Sequence, residues 1–117
     1  MPDTKMYGDN RLHVMIADDD IDDIEFFKIA LEDVSKNSRL SVASTGQELI
    51  EFLKIVLPDI IFIDINMPLM DGFECLEEIR SLTKFDHVPI IIYSTSKNTT
   101  YINKTYELGP VCTTKNL

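Results

Sequence analysis

Short, mostly apolar runs alternate along this chain with longer stretches in which apolar residues recur every three or four positions. Leu12 to Ala17 reads LHVMIA, Ile60 to Ile63 reads IIFI and Ile90 to Tyr93 reads IIIY. Runs of that length, rich in β-branched and aromatic residues, predict strands buried on both faces. Leu40 to Ala43 is a shorter second strand, and Val111 to Thr114 a short strand at an edge. Between the strands, Ile21, Ile24, Phe27, Leu31 and Val34 recur at helical spacing. Leu49, Ile50, Leu53 and Val56 mark a second helix, and Phe73, Leu76, Ile79 and Leu82 a third. A weaker helix is expected over about 99–108. These apolar stripes are read as core.

Polar punctuation fits the same division. Asp20 stands where the first helix needs an N-cap, and Asp22 and Asp23 follow it in the first turn, where negative charge suits the helix dipole. Asp71 is placed to cap the third helix, Pro58 to end the second, and Gly109-Pro110 to break the last. Alternating strands and helices with short connections argue for a parallel sheet with helices on both faces. The three most apolar strands belong in the middle, which the flavodoxin-like order 2-1-3-4-5 satisfies. Its ligand crevice lies beyond the carboxyl ends of strands one and three, where the winding reverses.

Length and charge narrow the function classes. A chain of 117 residues is expected to form one domain over 12–117 behind a polar leader, 1–11. No apolar run approaches the ~20 residues that span a membrane, and no secretory signal is visible, so a cytoplasmic location without membrane contact is expected. Twenty acidic against eleven basic residues give a net charge of -9, which argues against nucleic acid as a partner. Cys75 and Cys112 lack metal-type spacing and are read as small apolar residues. His13 and His87 are read as structural or solvated.

The predicted sheet brings Asp18 and Asp19, after strand one, to Asp64, at the end of strand three. Two carboxylates about 4 Å apart repel by roughly 4 kcal/mol at an effective dielectric near 20. Three are costly unless a proton or cation relieves them, and such oxygens are what Mg²⁺ prefers. Asp19 and Asp64 are expected to ligate Mg²⁺ directly, Asp18 through water, and Asn66 through its backbone carbonyl. Asp64 is then a candidate nucleophile toward phosphorus. Ser94, after strand four, can hydrogen-bond a phosphoryl oxygen, and Lys115, after strand five, can pair with another as a point charge.

Asp18-Asp19, the segment Asp64-x-Asn66-Met67-Pro68-x-Met70-Asp71-Gly72, the strand leading to Ser94 and a late lysine together resemble a response-regulator receiver domain over about 12–115. The resemblance implies a phosphoryl group moved from a sensor histidine kinase, or a phosphotransfer protein, onto Asp64 with Mg²⁺. It implies Ser94 as switch hydroxyl, Lys115 as the phosphate-pairing lysine, slow self-dephosphorylation and no turnover of a small substrate. Output would pass through contact with a downstream protein.

The chain departs from the family pattern in three places. Cys112 stands where the family usually has an aromatic residue, Asn116 stands where it has proline, and the stretch from Gly109 to Lys115 is short by one residue. A fifth helix is expected to be missing, which would leave Phe26 and Ile29 bare, through truncation or through cover by a second copy in a homodimer. Two alternatives stand beside the receiver: an aspartate-nucleophile phosphatase of the haloacid-dehalogenase kind, and a receiver-like binding module that is no longer phosphorylated.

Overall fold

The three apolar runs form the middle of one five-stranded sheet in a computed structural model that describes residues 11–94 and the backbone of 111–113. The strands are β1 (His13–Ala17), β2 (Arg39–Ala43), β3 (Ile60–Asp64), β4 (Ile90–Tyr93) and β5 (Val111–Thr113). Their order is β2-β1-β3-β4-β5, as the sequence predicts. The first four run parallel, with Val14 opposite Ile60 and Ile61 opposite Ile90. The fifth corrects the all-parallel expectation: β5 runs antiparallel to β4, with Ile92 opposite Val111. An antiparallel neighbour enters from the opposite edge of the sheet and needs no crossover to pair. The helix expected over 99–108 lies outside the described residues.

Three helices follow the strands in turn: α1 (Ile21–Val34), α2 (Gly46–Leu53) and α3 (Gly72–Arg80). Each starts on a side-chain cap. Asp20 accepts the backbone N–H of Asp22 and Asp23, Thr45 accepts that of Glu48, and Asp71 and Glu74 form a reciprocal capping box. Because a strand's side chains alternate between faces, the sheet presents two different surfaces. Met15, Ala17, Ile61, Ile63, Ile90 and Ile92 join Leu49, Ile50 and Leu53 of α2 and Cys75 and Ile79 of α3 in one buried cluster. Across the sheet, the Phe62 ring meets Phe27 of α1 edge-on, with centroids 4.8 Å apart.

The helical stripes are core only in part. No residue of α1 is fully buried; Ile24, Phe27 and Leu31 are half-covered, while Ile21 and Val34 at its two ends are exposed. A helix of this length runs roughly 21 Å, longer than a five-residue strand, so its ends overhang the sheet. Phe26 and Ile29 are bare, at 75% and 59% exposure. In the third stripe, Phe73 and Leu82 are exposed, Leu76 is half-covered and Ile79 is buried; Cys75, off the stripe, is buried too. Phe85 is fully buried on a 3-10 turn, Thr83–Phe85, for which the sequence pattern gave no element. The Arg80 guanidinium secures that turn by donating to the carbonyls of Phe85 (2.6 Å) and Val88 (2.9 Å). His13 is buried with its Nε2 2.8 Å from the Ser41 hydroxyl, the structural role expected of it.

Candidate functional site

At the carboxyl edge of the sheet the chain turns polar abruptly. Asp18 leaves β1 with its backbone N–H donating to the Ala43 carbonyl (3.0 Å), and its side chain is fully buried. One carboxylate oxygen accepts the Asp20 N–H (2.9 Å), and the other accepts the Tyr93 hydroxyl (2.7 Å). Tyr93 sits opposite Asp64 in the β3–β4 register, so this hydrogen bond reaches over β3 to the end of β1. Asp64 is 2% exposed and accepts the N–H of Asn66 (3.0 Å).

Carboxylate oxygens of Asp18, Asp23 and Asp64 lie within 4.8 Å of one another. The sheet therefore brings Asp18 and Asp64 together, and the third acid within that distance is Asp23. Asp19 is exposed. In the sequence Asp23 reads only as a residue that suits the helix dipole. Its signal lay in Asp20: that cap fixes the first turn of α1 directly over the strand ends.

The electrostatics follow from burial. Asp18 is pushed from 3.8 up to about 6, first by loss of water and further by the charges of Asp64 and Asp23. The hydrogen bonds from Tyr93 and Asp20 act in the opposite direction. The Tyr93 phenol is raised well above its ordinary range by burial and then by Asp18. An oxygen-only set of clustered carboxylates, two of them buried, has the chemistry of a site for a hard divalent cation such as Mg²⁺.

The loop after Asp64 is pressed against the site. A Cβ on Gly72 would stand 2.9 Å from both the Asp64 carbonyl oxygen and the Ile65 Cα. The Gly72 N–H donates to the Ile65 carbonyl (3.1 Å), which locks the start of α3 to the end of β3. Within the loop, Leu69 takes a left-handed φ of 70° while the Met70 N–H closes onto the Pro68 carbonyl (2.7 Å). Asn66, on the exposed rim, donates its side-chain amide to the Ser94 hydroxyl (2.8 Å). Ser94 is thus brought beside the loop that follows Asp64. Lys115 lies outside the described residues.

A five-stranded α/β sheet with a pocket of acids at its switch point defines a class, and the comparisons name it. Residues 14–112 match the profile of the response regulator receiver domain, and the chain belongs to that family. A protein-glutamate methylesterase/protein-glutamine glutaminase of Clostridium acetobutylicum is 36% identical over 84 residues, covering 72% of this chain and 24% of that protein. A probable cyclic di-GMP phosphodiesterase of Vibrio cholerae is 30% identical over 98 residues, covering 84% of this chain and 22% of that one. The chain thus spans about a quarter of the length of these two relatives. Among solved structures, the phosphorylated cyanobacterial phytochrome response regulator RcpA superposes with a TM-score of 0.67 at 28% identity, covering 84% of this chain and 75% of that one. Among the described residues no helix is long and apolar enough to cross a membrane.

Proposed function

We propose that Asp64 accepts a phosphoryl group from a histidine of a sensor kinase or phosphotransfer protein, and that a downstream protein reads the result. The observation that supports this most is the position of Asp64: buried at the end of the central strand, with two further carboxylates within 4.8 Å. A carboxylate oxygen of Asp64 attacks phosphorus, the P–O bond forms as the P–N bond breaks, and the electron pair returns to the imidazole. Asp18, Asp19, Asp64 and the Asn66 backbone carbonyl would hold Mg²⁺, which when bound supplies positive charge toward the incoming phosphoryl oxygens. The bound phosphoryl group adds about −1.5 to −2 charge and three strong acceptor oxygens. Ser94 then gives up the Asn66 amide and donates its hydroxyl to one of them, reshaping the surface around β4 and β5. Lys115 takes the phosphate-pairing role. Slow release to water returns the chain to its starting state, without turnover of a small substrate.

The phosphatase alternative placed the nucleophile after the first strand; membership of the receiver family gives it no support. The binding-module alternative is decided by experiment. Wild type and Asp64→Asn are incubated with acetyl phosphate, with Mg²⁺ or with a chelator, and weighed intact by mass spectrometry. Wild type is expected to gain the mass of one phosphoryl group only with Mg²⁺, and Asp64→Asn to gain none. A wild type that stays at its starting mass would leave the binding module in place of the phospho-acceptor.

A further inference from the structure

We infer that Asp23, on the first turn of α1, is a ligand of the divalent cation that serves Asp64, so that α1 supplies part of the metal site. The inference rests on the receiver reading above and adds a residue to it.

Two neighbouring acids on one turn make the case. Residues four apart lie on the same side of a helix. Asp23 therefore shares a side with Phe27, whose ring packs on Phe62 of β3 at 4.8 Å. Asp22 shares a side with Phe26, which is 75% exposed, and Asp22 itself is exposed. The Phe27 contact sets the rotation of α1, and that rotation aims Asp23 along the sheet toward its carboxyl edge while turning Asp22 to solvent. Asp20 sets the axial position: its carboxylate accepts the N–H of Asp22 (2.8 Å) and Asp23 (3.2 Å), seating the first turn immediately after Asp18. The outcome is a half-buried Asp23 with a carboxylate oxygen within 4.8 Å of those of Asp18 and Asp64.

The three oxygens are close enough to be drawn onto one cation. Ligand oxygens on opposite sides of Mg²⁺ stand about 4.2 Å apart, from a bond of roughly 2.1 Å. Adjacent ligands stand about 3 Å apart, so three oxygens within 4.8 Å share one ion by drawing in by about 1–2 Å or through one intervening water. A carboxylate that close to the ion attracts it directly, so the loss of one such acid weakens binding by about tenfold or more. Asp22, one residue away with the same charge, feels the ion only through solvent.

The pair supplies its own control. Mg²⁺ is titrated calorimetrically into the full chain as wild type, Asp23→Asn, Asp22→Asn and Asp23→Glu, with helix content checked by circular dichroism. Asp23→Asn is expected to weaken Mg²⁺ binding about tenfold or more, and Asp22→Asn by less than about twofold. Asp23→Glu, which keeps the carboxylate, is expected to fall between wild type and Asp23→Asn and carries the comparison should Asp23→Asn lose helix content. Equal effects of Asp23→Asn and Asp22→Asn would overturn the assignment, as would an Asp23→Glu no better than Asp23→Asn. If those results came with a wild type that still bound Mg²⁺ and still gained a phosphoryl group, only the role of Asp23 would fall. A wild type with neither Mg²⁺ binding nor phosphorylation would remove the receiver reading as well.

Discussion

On one face of the sheet, Ile61, Ile63, Ile90 and Ile92 meet Leu49, Leu53 and Ile79, and all are buried; on the other, α1 lies with no fully buried residue. The first face is a close-packed layer whose loss would cost the fold. The second is held at points: the Phe27–Phe62 ring contact, the Asp20 cap and half-covered Ile24 and Leu31. The acidic edge takes one acid from each kind of support. Asp64 grows out of the packed layer, whereas Asp23 depends on how α1 is seated. The difference separates residues that make the domain from residues that aim it.

That contrast can be broken by substitution. The largest effect is expected at Ile63→Ala, in the packed layer, with a loss of about 3–4 kcal/mol in denaturant unfolding. A loss below about 1 kcal/mol would show that this face is not the main store of stability. Gly72→Ala comes next, because its Cβ would meet backbone of Asp64 and Ile65 rather than a flexible side chain. A cost of about 2 kcal/mol is expected, with weaker Mg²⁺ binding, because the β3–α3 junction must shift.

Asp18→Asn is expected to act in the other direction. A carboxyl raised to about 6 in the folded state binds a proton that the unfolded chain, near 3.8, has already released. The metal-free protein therefore loses stability as pH rises from about 4 through about 6, by about 3 kcal/mol. Asp18→Asn removes that loss, so at neutral pH without Mg²⁺ the variant should be the more stable protein. Unfolding midpoints measured across that pH range check the sign; a wild type that gains stability through the window would contradict it. The smallest effect is expected at Phe26→Ser on the bare side of α1, within about 0.5 kcal/mol. A larger loss would mean that this face is covered in solution.

Much of this was legible in the sequence. The strand order follows from which runs are continuously apolar, and the meeting of Asp18 with Asp64 follows from that order, because both acids directly end central strands. What escaped depended on rotation and direction instead of pattern. That Asp23 joins Asp18 and Asp64 depends on the seating of α1 and on the Phe27 contact across the sheet, neither of which a periodicity count contains. The direction of β5 could not be read from a run of three residues. Phe85 gives no sequence signal because a single aromatic on a 3-10 turn has no period at all, and Leu82 reads as core because it continues the spacing past the last turn of α3.

Whether Asp64 accepts a phosphoryl group can be tested chemically. Wild-type protein treated with acetyl phosphate and Mg²⁺ is reduced with borohydride, which converts an acyl phosphate to an alcohol, and the digested chain is sequenced by mass spectrometry. Homoserine at position 64, with Asp18, Asp19 and Asp23 unchanged, is the expected result. Reduction at any of those three acids, or at none of the four, would contradict the assignment of Asp64.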